Sequence, residues 1–299
     1  MNNCSKTRLS CMNLPITKLI KGWERTMELK NRVAGISLGI LIMGLGTVTQ
    51  AADDAVTIPA GEFKMGCSVN DTDCENDEGP EGGVAVDVPA FKIDRHEVSV
   101  AEYEACMAAG KCERPKDHQR NKYCNVGAEG RDEHPVNCVD WQEALDYCQW
   151  KGGRLPYEAE WEKAARAGTS SRYPWGEQAT CKNAILDDGV TMGAIPNEPD
   201  GCGEDRTWPR GSHQANAFGL HDMHGNAGEW MMNWYDRNGI SRYAGGDLTG
   251  PEEGRQRLVR GGSWDENRPN LRSSFRNVKP PISGRSIYGS IGFRCAYDQ

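Results

Sequence analysis

His221 and His224 flank Asp222 in the stretch His-Asp-Met-His, a spacing that can turn two imidazoles towards a transition metal. The nearest third imidazole in sequence is His213. Histidine and aspartate are also common turn residues, and a structural role is the expectation here. Two residues on, Gly-Asn-Ala-Gly-Glu-Trp supplies Asn226 and Glu229 with backbone carbonyls between them. Such oxygen donors suit a hard cation, above all calcium, and a hydrogen-bonded turn is the other reading of the same residues. Ser263, in Gly-Gly-Ser-Trp, has no GxSxG elbow and no evident base, so no serine nucleophile is expected. Arg260, Arg272, Arg276 and Arg294 are expected to pair inside the fold with carboxylates such as Glu158, Glu160 and Glu229. A pocket for an anionic ligand or a peptide carboxylate is the alternative.

These residues need an unusual frame to position them. Hydrophobic residues are only 37 % of the 299, while glycine reaches 35 and tryptophan 9, which predicts a loop-rich domain anchored by aromatic side chains. The net charge of −8 leaves no basic face to neutralise phosphates, so no nucleic-acid partner is expected.

Residues 27–51 have a basic start at Lys30 and Arg32, an apolar run from Val33 to Val48, and small residues at Thr49 and Ala51. This is the pattern of a secretory signal peptide cleaved after Ala51, and membrane contact is expected only through an uncleaved signal. Residues 1–26 read as an upstream extension, with translation starting at Met27. The protein is therefore expected to be exported, to a periplasm or the exterior. Beyond the signal lie ten cysteines, at 67, 74, 106, 112, 124, 138, 148, 181, 202 and 295, with no CxxC pair. An even count in an exported chain predicts disulfides rather than zinc. Proximity suggests Cys67 with Cys74, Cys106 with Cys112, Cys124 with Cys138 and Cys181 with Cys202, although spacing alone does not fix connectivity.

Residues 55–299 contain no linker and no repeat, which predicts one domain. The stretch 56–66, alternating around Pro59 and Gly61, reads as a hairpin, and two more strands are predicted in 84–100. Ser99 with Glu102, and Asp140 ahead of Ala144, Leu145 and Cys148, mark the starts of two helices; Pro156 opens a third that Gly168 closes. From about 170 onward periodicity is lost. Trp175, Trp208, Trp230, Trp234 and Trp264 argue that the region is nonetheless ordered.

Seven phrases in order, Ile-Pro-Ala-Gly-Glu-Phe-Lys-Met-Gly (58–66), 97–106, 134–150, Gly-Arg-Leu-Pro (153–156) through 168, 216–230, Arg-Leu-Val-Arg-Gly-Gly-Ser-Trp (257–264) and Ile-Gly-Phe-Arg-Cys-Ala (291–296), resemble the formylglycine-generating enzyme, or sulfatase-modifying factor, family. The resemblance implies an α+β fold that varies the C-type-lectin fold, with little regular secondary structure, disulfide stabilisation and structural calcium. It implies a bridge from Cys148 to Cys295, which proximity does not suggest. It also implies calcium ligands at Asn226 and Glu229, and a second site at Asn183, Ala184 and Asp205. Gly228 stands where the family usually has tryptophan, which is expected to remove a pocket wall.

Oxidase members carry two cysteines, second and seventh after the aromatic residue of Gly-Gly-Ser-Trp, that bind copper(I) and attack a substrate cysteine. Counted from Trp264, these positions are Glu266 and Leu271, and neither is a soft metal ligand. The expectation is a binding or accessory module with a protein or peptide ligand. The enzyme alternative is an oxidoreductase that modifies a protein or secreted metabolite with another metal or cofactor. In some members the segment after the aromatic residue is a diversified ligand-binding surface; Asp265, Asn267, Asn270, Ser286, Tyr288 and Ser290 fit such a surface and equally an ordinary polar one.

Overall fold

A computed structural model describes residues 54–115, 121–187, 202, 206–281 and 289–299. The signal segment 27–51, the extension 1–26, Asp205, Ser286 and Tyr288 lie outside the described residues. Among the described residues, nine short strands and four helices are formed: β1 Ala55–Ile58, β2 Gly61–Met65, β3 Val84–Val88, β4 Phe91–Asp94, α1 Val100–Ala108, α2 Trp141–Trp150, α3 Glu158–Arg166, β5 Gly228–Trp234, α4 Gly239–Ala244, β6 Arg257–Arg260, β7 Asn277–Lys279, β8 Ile291–Gly292 and β9 Ala296–Asp298, with a 3₁₀ turn at Arg268–Leu271. The mixture of helix and strand, with much irregular chain, is the expected α+β architecture.

The three predicted helices form where their caps place them. Ser99 and Glu102 complete a capping box on α1, and Asp140 and Glu143 complete one on α2, each pair satisfying two backbone donors that the first turn leaves open. Ala144, Leu145 and Cys148 are buried on one face of α2. Helix α3 ends at Ala167, whose left-handed φ of 47° turns the chain out before Gly168.

The expected hairpin at 56–66 is not formed. Strand β1 pairs with β4, and β2 pairs with β3, in separate sheets ordered β1-β4-β9 and β2-β3. A two-residue hairpin here would have Pro59 and Ala60 at its centre, where the favoured turns need a positive φ at the first position. Proline, fixed near −65°, cannot supply it, so the chain passes on to a second sheet. The third sheet, β7-β6-β5-β8, is antiparallel except for the β5–β8 pair, and it carries the Gly-Gly-Ser-Trp turn at the end of β6.

The ten cysteines among the described residues all pair: Cys67 with Cys74, Cys106 with Cys112, Cys124 with Cys138, Cys148 with Cys295, and Cys181 with Cys202. Short-range proximity accounts for four of these pairs, and the fifth joins α2 to the residue preceding β9.

Charged side chains do part of the work of a core. Glu158 and Glu162, one turn apart on α3, are fully buried. Arg260 bonds both, at 2.8 Å and 2.6 Å; Arg276 chelates Glu158 at 2.7 Å and 2.8 Å, and Arg166 takes Glu162 at 2.9 Å. Burial by itself would raise the Glu158 carboxyl, but Arg276 and Arg260 outweigh it and hold the group below its ordinary range. Arg294 bonds Glu229 at 2.7 Å. Two expected partnerships change. Glu160 pairs with Arg154 at 2.7 Å and caps Tyr157 N–H, because it sits on the flank of α3 away from Arg260. Arg272 reaches Glu78 and Asp71, at 2.6 Å and 3.0 Å, carboxylates far away in sequence.

Candidate functional site

The Gly-Gly-Ser-Trp element needs both glycines. Gly261 and Gly262 have φ of 92° and 67°, in the left-handed region that favours glycine. A β-carbon on Gly262 would lie 2.7 Å from the Asn270 carbonyl. The tight turn lets Trp264 N–H donate to the Asn226 carbonyl at 3.0 Å, which buries the indole and directs the following residues outward. Ser263 Oγ donates to Asp265 at 2.6 Å, a turn contact with no base attached.

Asp265 and Glu266 then border a cavity of about 360 Å³, whose walls are Asn121, Tyr123, Trp264 and Lys279, with Gly289 and Ser290 at its edge. The Tyr123 and Trp264 rings lie 5.1 Å apart. Glu266 is fixed by its backbone, which accepts from Asp187 N–H at 3.0 Å and donates to the Ser263 carbonyl at 3.1 Å. Its Oε1 accepts from Asn277 Nδ2 at 2.9 Å, while its buried Oε2 has no hydrogen-bond partner among the described residues. Burial, with Asp265 adding to it, pushes the Glu266 carboxyl up to about 7 against the opposing pull of Lys279 and Asn277.

Leu271 faces the other way. It is fully buried and packs with Tyr173, Ala179, Ala184 and Leu186. The two positions expected to be cysteines in an oxidase therefore hold one pocket-lining acid and one core leucine. Of the residues weighed as a diversified surface, Asp265 and Asn267 are exposed, and Asn270 and Ser290 are half-buried.

A raised carboxyl in the folded state favours the protonated form. Its contribution to stability is full below about 4.5, the ordinary value, and is lost as pH rises through about 7. We expect Glu266→Gln to remove this dependence, so that urea midpoints at about pH 5 and about pH 8 differ less in the variant than in the wild type.

The histidines are not brought together. His221 stacks on His96 at 4.7 Å and its Nδ1 contacts the His213 carbonyl at 2.8 Å. His224 is buried among Trp161, Tyr173 and Trp175, with Nδ1 bonded to the Leu271 carbonyl at 2.7 Å. Burial lowers its pKa to about 4, keeping the ring neutral. Asp222 accepts from Gly211 N–H. The structural reading of this motif is the one the geometry fits.

Asn226 and Glu229 do not turn free oxygens to a common point. Asn226 Oδ1 accepts from Trp208 N–H at 2.8 Å, and its Nδ2 donates to Glu97 at 2.9 Å. Glu229 accepts from Arg294 and, at 2.9 Å, from Trp161 Nε1. Drawing Glu229 to a calcium ion would leave the fully buried Arg294 uncompensated, so the two side chains as placed do not fit that ion. Asn183 Oδ1 accepts from Thr180 Oγ1 at 3.0 Å, and its expected partner Asp205 lies outside the described residues. Among the described residues no three His, Cys, Asp or Glu side chains converge as a metal site. Gly228 opens no gap: a β-carbon there would meet Val259 Cγ1 at 3.0 Å, so neighbouring packing occupies the space expected to be vacated.

Sequence reasoning missed Glu97, a fully buried carboxyl that accepts from Asn226 Nδ2 and Ala227 N–H and is pushed well up, first by burial and then by Asp222 and Glu229. It also missed Glu162, although the i, i+4 spacing from Glu158 puts both on one helix face. Nothing local marks Asp71 or Glu78 as partners of Arg272.

The family model for the sulfatase-modifying factor enzyme 1-like domain matches residues 45–299. The chain is 31 % identical over 295 residues to the formylglycine-generating enzyme of Thermomonospora curvata, covering 83 % of this chain and 95 % of that one. It is 32 % identical over 259 residues to the serine/threonine-protein kinase pkn1 of Chlamydia pneumoniae, where the match covers 81 % of this chain and 38 % of that longer protein. Among solved structures, PvdO from Pseudomonas aeruginosa superposes with a TM-score of 0.64 at 30 % identity, over 82 % of this chain and 94 % of that one. With the seven ordered motifs and five disulfides in place, the chain belongs to the formylglycine-generating enzyme, or sulfatase-modifying factor, family.

Proposed function

We propose that this protein is an exported binding or accessory module of the family, without copper-thiolate oxidase chemistry. The observation that carries this reading is the fate of the thiols. Counted from Trp264 as the family resemblance implies, Glu266 and Leu271 stand at the positions of the oxidase cysteines, and every cysteine among the described residues is half of a disulfide. A soft thiolate pair is what copper(I) binding and attack on a substrate cysteine require. Five disulfides also support an oxidising compartment, in keeping with the signal-like segment 27–51. The cavity beside Glu266 is the site at which such a module would hold its ligand, and exposed Asp265 and Asn267 would meet a larger partner at its rim.

Calcium enters this proposal as a structural ion at the Asn183 segment, since the Asn226 and Glu229 side chains are committed elsewhere. We expect calcium to raise the melting temperature over that in chelator, and expect Glu229→Gln, though less stable, to keep that increment. Loss of the increment in the variant would place the ion at Glu229 instead.

The experiment for the main proposal is incubation of the purified protein with copper(I) and a sulfatase-derived cysteine peptide under air. The expected result is no aldehyde and no stoichiometric copper. Aldehyde formation, or one tightly held copper or iron per chain, would establish the oxidoreductase alternative.

A further inference from the structure

The cavity beside Glu266 lacks one thing that its chemistry asks for. Among the described residues Glu266 Oε2 is buried without a donor while Oε1 is held by Asn277, and a buried acceptor left without a partner is costly. Asp265, bonded to Ser263, adds a second negative charge at the rim. Lys279 is the only cationic side chain among the described residues that line the cavity, and its attraction does not offset burial and Asp265, since the Glu266 carboxyl still stands at about 7. What would complete the site is a positively charged hydrogen-bond donor.

We propose that this cavity binds an alkylammonium group, with Glu266 as its counter-ion and the Tyr123 and Trp264 rings as the wall for its methylene stem. This rests on the binding-module reading and names the ligand class for the same site. Four considerations favour an ammonium over other occupants. A charge-assisted N–H to carboxylate bond is the partner that an orphaned carboxylate oxygen calls for, and Glu266 lines the cavity, where a small side-chain rotation would present it. The aromatic wall accepts a cation on its faces and covers an apolar stem; the ammonium of Lys122 already lies 4.5 Å from the centre of the Tyr123 ring. A hard divalent ion needs six or more converging oxygens, and among the described residues no three acidic, His or Cys side chains converge here, while Lys279 adds a positive charge to the lining. An anionic ligand would have to approach Asp265 and Glu266 together.

The test is calorimetry on the full chain at about pH 8 with n-butylammonium chloride and a capped tripeptide with lysine at its centre. n-Butanol and the same tripeptide with norleucine are the neutral controls. We expect saturable binding of at least one cationic ligand, no saturable binding of its neutral counterpart, and about tenfold or greater weakening in Glu266→Gln. A peptide that binds more tightly than the free amine identifies a lysine side chain of a protein as the source, and the reverse order identifies a small amine. Equal binding of the neutral controls, undiminished binding by a folded Glu266→Gln variant, or no binding of either cation would overturn the proposal. Comparing charged with neutral ligands on the wild type decides the matter even if the variant does not fold. None of these failures produces aldehyde from the cysteine peptide, so the binding-module reading stands or falls on that separate assay.

Discussion

Glutamine in place of Glu158 is expected to lower the unfolding free energy by about 3–5 kcal/mol, the usual cost of removing one member of a buried ion pair. Two guanidinium groups depend on this carboxylate: Arg276 holds both oxygens, and Arg260 binds Oε1 at 2.8 Å. Tyr243 donates its hydroxyl to Oε2 at 2.7 Å. All four side chains are almost wholly buried, so water cannot stand in for the lost charge. Glu160→Gln, two residues along the same helix, serves as the comparison. Its partner Arg154 keeps 17 % side-chain exposure and has a second carboxylate, Asp298, at 2.7 Å, so the expected cost is nearer 1 kcal/mol. Urea unfolding of both variants measures the contrast, and equal costs would contradict the role given to the Glu158 cluster.

Replacing Cys148 and Cys295 together by alanine should cost about 5 kcal/mol. The bridge closes a separation of 147 residues, and in the chain-entropy model the stabilisation grows with the logarithm of loop length. Both sulfurs are also fully buried, so some packing is lost as well. Cys106 and Cys112, only 6 apart, close a much smaller loop, and the corresponding double alanine variant should lose less. Comparison of urea midpoints tests this order. A reversed order would mean that the long bridge constrains little in the unfolded chain.

Much of this fold is legible in sequence because local chemistry fixes it. Ser99 with Glu102 and Asp140 with Glu143 place two helix starts, and four disulfides follow from short spacing. The long Cys148–Cys295 bridge has no local signature, and only resemblance to a family brought those two residues together. The failed hairpin at Pro59 shows the limit of reading alternation without asking what φ the turn requires. The site was less legible for a related reason. Glu266 is notable because Asn277 meets one of its oxygens and no described residue bonds the other, and the Asn277 contact depends on how β6 and β7 pair. Asn226 and Glu229 have the composition of a calcium loop, yet Glu97, Arg294 and Trp161 arrive from distant segments and take up their side chains. Spacing can nominate oxygen donors, but it cannot show which are already committed.

The most direct measurement is alkylation of the purified protein, denatured without reduction, followed by mass spectrometry of its peptides. The proposal of a module without oxidase chemistry depends on the state of ten cysteines, and this experiment counts their free thiols. The expected result is no alkylated cysteine at any of the ten positions, with Cys148 and Cys295 recovered in one cross-linked peptide. Two alkylated cysteines at stoichiometric level, in protein that binds copper, would contradict the reading and return this chain to the oxidases.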